Sequence, residues 1–507
     1  MLWPYHLGHV QKQRLVSYFA VRQKKHPAYN IFNTSDATCW RLFYKIKNMN
    51  KAKEQKTERY ERMPVVNPSA AGVDVGSSSH FVGIGQNKED VTEFGVFTEN
   101  LHALCKHLVA NKITTVALES TGSYWQPLFV LLQQYNLNPI LVNGKFTKNV
   151  KGRKTDVQDC QWIQKLHTMG MLEGSFLPDL FTEKVRQYYR HRQTLVDNAA
   201  GYINKMQKAL RLINIRLDSV LRDVMGRSGK DIIEAILKGE RDPKVLSSLA
   251  QPTVKKSKEE IIAALTGDWR EEYIFELRQC YEIYQHYHKK IDECDEAIKQ
   301  LLAAEIERRQ KEENLPLAKD IKIKKKKARK NEARINVQQL AVDLTGGVDI
   351  SAIEGVGLGL VLCIIAETGL DLKAFPTAKH FSSWLGVAPN IKKTGGKVIN
   401  SRTRKGKGRL AKAFMHSANA IGNMQKSNYL VHFFKRKERK IGRAGAITAT
   451  ANKLSKIIWN MLVKKQSYCP IMPQQYLDKI RKKELKNIQR KINQLNIKDN
   501  EILFAVA

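Results

Sequence analysis

The stretch AAGVDVG, Ala70–Gly76, reads as a short apolar strand punctuated by Gly72 and Gly76, with one acid, Asp74, in its interior. A carboxylate on a strand that otherwise reads as core is costly unless it is paired or bound to a metal. Working outward, HFVGIGQ follows the turn SSS as a second strand, and VTEFGVF makes a third. LHALCKHLVAN has helical spacing, TTVALES reads as a buried strand, WQPLFVLLQQY as a helix and NPILVN as another strand. Strands that come first in a run and then alternate with helices predict an α/β domain with a mixed sheet and flanking helices.

Two more acidic features fall in this region. Glu119 closes the apolar strand TTVALE, just before STGSYW. GRKTDVQDCQW, Gly152–Trp162, then places Asp156 and Asp159 three residues apart behind a basic stretch. Thr155 followed by Gln158 fits a capping box, so a helix should begin at Asp156, with both aspartates on one face. Val157, Cys160, Ile163 and Leu166 give that helix an apolar flank. The pair suits a plain helix start, since acids complement the dipole there. It also suits a metal site. Four converging carboxylates would repel one another without cations, and an oxygen-rich, carboxylate-dense site favours Mg²⁺. Two such ions would stabilise attacking and leaving oxygens in phosphoryl transfer. The flanking GKFTKNVKGRK, which includes Lys154, supplies cations for a phosphate backbone.

The bulk composition agrees with a polyanionic partner. The 507 residues carry 86 Lys+Arg against 49 Asp+Glu, a formal net charge of +37. Such an excess speaks of nucleic acid before membrane, and no apolar run is long enough to span a bilayer. Apolar residues make up 42% of the chain, enough for packed cores. The seven cysteines are scattered without a CxxC pair, which argues against a zinc site or a disulfide framework and fits a reducing cytosol. The opening MLWPYHLGHVQKQRL has no pattern of a secretory signal, so a cytoplasmic protein is expected.

Five segments are expected. Residues 1–66 form a basic extension, partly disordered, and 67–180 the mixed-sheet domain. Residues 181–340 hold two long charged stretches with helical recurrence, as in Tyr281, Tyr284, Tyr287 and Ile291, and predict two antiparallel helices as a coiled coil with a small helical tip. That segment closes on KIKKKKARK, 322–330, either a solvated linker or a phosphate contact. Residues 341–465 are mainly helical, and 466–507 form a basic helical or flexible tail. Within 341–465, IEGVGLGLVLCIIAETG resembles a helix-hairpin-helix, in which Gly355, Gly357 and Gly359 would leave backbone N–H groups free for phosphate at a helix N-terminus. NIKKTGGKVINSRTRKGKGR brings Lys392, Lys393, Lys397, Arg402, Arg404 and Lys405 together with the hydroxyls Thr394, Ser401 and Thr403. A hydroxyl nucleophile needs a base or a positive field; the lysines offer the field, and no base is identifiable.

The acid order resembles the RuvC-like version of the ribonuclease-H fold: Asp on the first strand, Glu after the fourth, then Asp-x-x-Asp on a helix. The wider set AAGVDVGSSSH, ALESTGSYW, KTDVQD, DISAIEGVGLGL, HFSSWLGVAPN, TGGKVINSRTRK and GAITATANKL resembles the DEDD transposases of insertion sequences, the "IS one-ten" family, from about Asn67 to Lys465. That resemblance implies a site-specific recombinase of double-stranded DNA. It implies a RuvC-like domain whose Asp74, Glu119, Asp156 and Asp159 bind Mg²⁺, two ions being expected. It implies a coiled coil for assembly, a C-terminal transposase domain with a serine that links covalently to DNA, a structured guide RNA, and a homodimer or homotetramer with a composite site. This sequence departs from the family at one point: Thr394 stands where the family has serine before the glycines, with Ser401 the alternative nucleophile. The rival reading is a metal-dependent junction resolvase or nuclease that forms no covalent intermediate.

Overall fold

The computed structural model describes residues 64–144, 155–313, 323 and 325–495. The expected N-terminal extension up to residue 63, Lys154 and the start of the 322–330 basic run lie outside the described residues. Chain contacts divide the protein into two compact units, Met1–Phe176 and Leu177–Ala507.

The first unit is built on five strands: β1 (Ala70–Val75), β2 (Ser79–Gly83), β3 (Val91–Gly95), β4 (Thr115–Glu119) and β5 (Asn138–Val142). Their order in the sheet is β3-β2-β1-β4-β5. β1 pairs antiparallel with β2, and β2 with β3, whereas β1–β4 and β4–β5 are parallel. The parallel pairs require helical crossovers. α1 (Thr98–Ala110) connects β3 to β4, burying Leu101, Leu104, Cys105 and Leu108, and α2 (Trp125–Gln134) connects β4 to β5. α3 (Asp156–Thr168) follows β5 and packs on β1 and β2. This mixed sheet with flanking helices fits the ribonuclease-H-like expectation.

Glycine decides where α3 sits. A Cβ on Gly72 would lie 2.2 Å from the backbone nitrogen of Gln164 and 2.5 Å from the carbonyl of Cys160. Gly83, the cross-strand partner of Gly72, also faces Cys160. The two glycines thus make a shallow seat into which the helix backbone settles, while Ala71, Val73 and Val75 on alternate positions are buried.

The second unit is almost entirely helical. α4 (Leu180–Leu212) and α9 (Glu271–Glu312) run antiparallel: Arg192 meets Asp295, Tyr202 meets Tyr287, and Arg270 donates to the Leu212 carbonyl at 2.5 Å. Between them lie four short helices, α5 (Leu217–Val220), α6 (Arg227–Leu237), α7 (Pro243–Ser248) and α8 (Lys258–Leu265). Ile232, Ile233, Ile236, Leu246 and Leu265 close a small core on the end of the helical pair.

The rest of this unit comprises α10 (Val337–Thr345), α11 (Leu358–Thr368), α12 (Ala378–Trp384), a two-stranded ribbon β6 (Lys392–Thr394) and β7 (Lys397–Asn400), α13 (Arg409–Gly422), α14 (Tyr429–Lys464) and α15 (Pro473–Gln494). α11 is buried along its whole length and packs on α4, tied there by Arg190, whose guanidinium grips Glu367 at 2.7 and 3.0 Å. The helical pair and these later elements fall within the one compact unit Leu177–Ala507. α14 breaks at Gly442 (φ 70°, ψ 170°). α15 is a basic helix, exposed except at Tyr476. Among the described residues no helix is long and apolar enough to cross a membrane.

Candidate active site

Asp74 and Glu119 lie at the same end of neighbouring parallel strands. The strand register pairs Val73 with Leu118, so each acid is the next residue toward the C-terminal end of its strand. Asp74 is half-buried and Glu119 buried. Glu119 is pressed against the chain leaving β5: a Cβ on Gly144 would stand 2.0 Å from its Oε1. Only glycine leaves that carboxylate its space.

α3 brings the other two acids to this end. Thr155 caps it, its hydroxyl accepting from the Gln158 N–H at 3.4 Å, so the helix starts at Asp156 as its sequence predicts. The helix runs opposite to β1. Its far end is held where β1 and β4 begin: His167 Nε2 lies 2.9 Å from the Thr115 hydroxyl, and Gln164 Nε2 donates to the Ala70 carbonyl at 3.3 Å. One turn nearer its start, Cys160 lies over Gly72. The first turn, with Asp156 and Asp159 exposed, is therefore aimed at the strand ends that carry Asp74 and Glu119. Burial pushes the Cys160 thiol up to about 12, and the charges of Asp74 and then Asp159 push in the same direction.

Among the described residues, no three His, Cys, Asp or Glu side chains are grouped closely enough to hold one metal ion. Asp74 and Glu119 share one end of the sheet, Asp156 and Asp159 stand on the first turn of α3, and the four form no closed cage. Their chemistry fits a divalent cation, being hard carboxylate oxygens throughout.

Sequence reasoning overlooked several residues of this unit. Gln164 and His167 are polar yet buried on the sheet-facing side of α3. The loop after Glu119 exposes Ser120, Thr121, Ser123 and Tyr124, and is held by Ser120 N–H donating to the Val142 carbonyl at 3.1 Å. Only the hydroxyl-rich run STGSY hinted at it.

In the second unit, Thr394 ends β6 and faces Lys397 across the ribbon. Gly395 (φ 53°) and Gly396 (φ 78°) form the two-residue turn between them, the positive φ pair that a tight hairpin of this kind requires. Every residue from Ile391 to Asn400 is exposed. Ser401, Arg402, Arg404 and Lys405 follow, also exposed, while Thr403 is half-buried. The base of the ribbon is clipped by Asn390 N–H donating to the Arg402 carbonyl at 3.1 Å. No Asp or Glu occurs from Leu372 to Lys437, so this segment offers a nucleophile a cationic field and no carboxylate base.

The glycine turn departs from expectation. The Gly359 N–H at the start of α11 already donates to Glu332 Oε1 at 3.1 Å, and Gly355 (φ 81°) packs beneath Ile421 and the Ser417 carbonyl. Gly357 N-caps α11, and a Cβ there would also meet Glu332. The site does attract an anion, and the chain supplies its own. The basic run is similarly engaged: Lys326 turns inward onto the Ser351 and Val356 carbonyls, and Lys330 pairs with Asp223.

Two family models match the chain. One, described as "Transposase", matches residues 71–215, which enclose all four acids. The other, described as "Transposase IS116/IS110/IS902 family", matches residues 349–430, which enclose the ribbon. A curated "Probable family 20 transposase" of Pseudomonas aeruginosa is 27% identical over 126 residues, 24% of this chain. The chain matches 36% of that relative's length.

Proposed function

We propose that the chain, which matches a transposase model over residues 71–215 and an IS116/IS110/IS902-family transposase model over residues 349–430, cuts and rejoins double-stranded DNA as the transposase of an insertion sequence. What supports the proposal is that Asp74 and Glu119 end neighbouring parallel strands and that the helix seated on Gly72 begins at Asp156.

In this reading Asp74, Glu119, Asp156 and Asp159 hold divalent metal, Mg²⁺ and two ions by the family resemblance. When bound, such ions stabilise negative charge on the phosphoryl oxygens during displacement. The hydroxyl of Thr394 attacks the phosphorus; a P–O bond to threonine forms, the bond to the deoxyribose oxygen breaks, and the hydroxyl proton passes through solvent to that leaving oxygen. Lys393 and Lys397, beside Thr394 on the ribbon, favour the developing alkoxide. Thr394 is preferred over Ser401 because Gly395, Gly396 and Lys397 follow it in the family's order. Its β-branch restricts χ1, so it is expected to act more slowly than serine. Arg402, Arg404 and Lys405, with Lys392, carry the phosphate contacts that the filled glycine turn does not. The antiparallel pair α4 and α9 serves as the coiled coil of a homodimer or homotetramer, and a structured guide RNA selects the DNA.

The test expresses the chain together with the DNA that flanks its gene, then traps protein–DNA adducts by denaturation before electrophoresis. An adduct is expected for the native chain and for Ser401→Ala. It should be absent for Thr394→Ala and for Asp74→Asn. Cut DNA with no adduct in the native chain would point instead to a metal-dependent resolvase or nuclease.

A further inference from the structure

None of the described residues covers the β6–β7 ribbon. Strand pairs of this size are marginal in water unless something covers a face. Yet all of its side chains are exposed, including three large apolar ones: Ile391 at 55%, Val398 at 56% and Ile399 at 68%. The ribbon is nonetheless shaped, not slack. A tight Gly395–Gly396 turn fixes its tip, the Asn390–Arg402 hydrogen bond fixes its base, and a register shift at Lys392/Lys393 twists it between them.

We propose that this ribbon enters the major groove of duplex DNA and reads it, with Val398 and Ile399 against base edges and Lys392, Lys393 and Lys397 against the bordering phosphates. The inference rests on the DNA-cutting function proposed above and adds to it a reading element. The fit is first one of size: the major groove is about 12 Å wide and admits a two-stranded ribbon, whose strands lie about 4.8 Å apart. The fit is also one of charge, since neither the ribbon nor its surroundings in sequence, from Leu372 to Lys437, contains an acid. Exposed aliphatic side chains then have a defined partner, the C5-methyl of thymine, which only the major groove presents. A second copy of the chain is the other occupant such an edge could take. The lysines oppose it, because charges on a free strand edge block pairing with a like edge.

The experiment measures binding of the full chain to three 30-base-pair probes: an A·T-rich DNA duplex, the same duplex with deoxyuridine for thymidine, and an RNA duplex of that sequence. Two variants are compared with the native chain, Val398→Ser/Ile399→Ser and Lys392→Ala/Lys393→Ala/Lys397→Ala. All five positions are exposed, and thermal melting checks that each variant folds. The native chain is expected to bind the thymidine duplex about tenfold more tightly than the deoxyuridine one. The apolar variant should lose that preference while keeping its salt dependence. The lysine variant should keep the preference, and its log–log salt slope should flatten by about 0.9 per lysine. Equal native affinity for the thymidine and deoxyuridine duplexes would overturn groove reading alone. So would an equal effect of the apolar variant on RNA, whose major groove is too narrow to enter. A shift of oligomeric state in the apolar variant, with DNA affinity intact, would assign the ribbon to a second copy. A native chain that binds no duplex would overturn the DNA function and this inference together.

Discussion

Gly72 on β1 and Gln164 on α3 are in backbone contact, so close that a Cβ on the glycine would stand 2.2 Å from the glutamine nitrogen. Nothing at that point can give way, because both neighbours are main chain. The seat of α3, and with it the aim of Asp156 and Asp159, depends on the missing side chain.

Gly72→Ala is therefore expected to cost about 1–3 kcal/mol by overpacking, with the helix lifted from the sheet. Thermal melting should show the loss, and adduct formation should fall further than the stability change explains. An alanine variant that melts and reacts like the native chain would show that the helix can shift freely.

Much of the first unit was legible in sequence, and for physical reasons. Its strands are short apolar runs bounded by glycine or polar turns, and Thr155-x-x-Gln158 announces the start of α3 before any coordinates are known. The seat itself was not legible. Gly72 looks like a strand breaker, and only the fold reveals that it is a contact. Gln164 and His167 are polar residues outside the apolar flank of Val157, Cys160, Ile163 and Leu166. They are buried because the Ala70 carbonyl and the Thr115 hydroxyl satisfy them, partners that periodicity cannot supply. The glycine turn misled in the opposite way. Its free N–H was foreseen, but the acid that takes it, Glu332, lies far upstream in an otherwise basic run.

A second relationship concerns the long helical pair. Arg192 and Asp295 form an ion pair at 2.5 Å with both side chains 4% exposed. Asp295 also accepts from the Arg334 N–H at 3.1 Å, so the pair pins the chain after the basic run onto α9. Asp295→Ala leaves a buried, unpaired guanidinium and should cost about 3–5 kcal/mol in urea unfolding. Arg192→Met/Asp295→Leu, which removes both charges, should cost clearly less. Equal losses would mean that the geometry of the site, not its charge, is what matters.

The pH dependence follows from two buried imidazoles. Burial holds His80 on β2 and His167 on α3 below the ordinary value of 6.5. Unfolded, each titrates near 6.5; folded, each takes its proton only at lower pH. Below 6.5 the unfolded state therefore binds more protons, and stability falls as pH falls toward the folded values. Above 6.5 their contribution is complete. Melting temperature should drop between pH 6.5 and pH 5, and His80→Phe should flatten the drop. A variant with an unchanged slope would remove His80 from the explanation.

The assignment of the four acids is tested most directly by anomalous scattering from crystals of the full chain soaked in Mn²⁺, which takes the same oxygen ligands as Mg²⁺. Peaks are expected among Asp74, Glu119, Asp156 and Asp159, and should vanish in Asp74→Asn/Asp156→Asn. Manganese bound elsewhere, or bound there unchanged in that variant, would contradict the assignment.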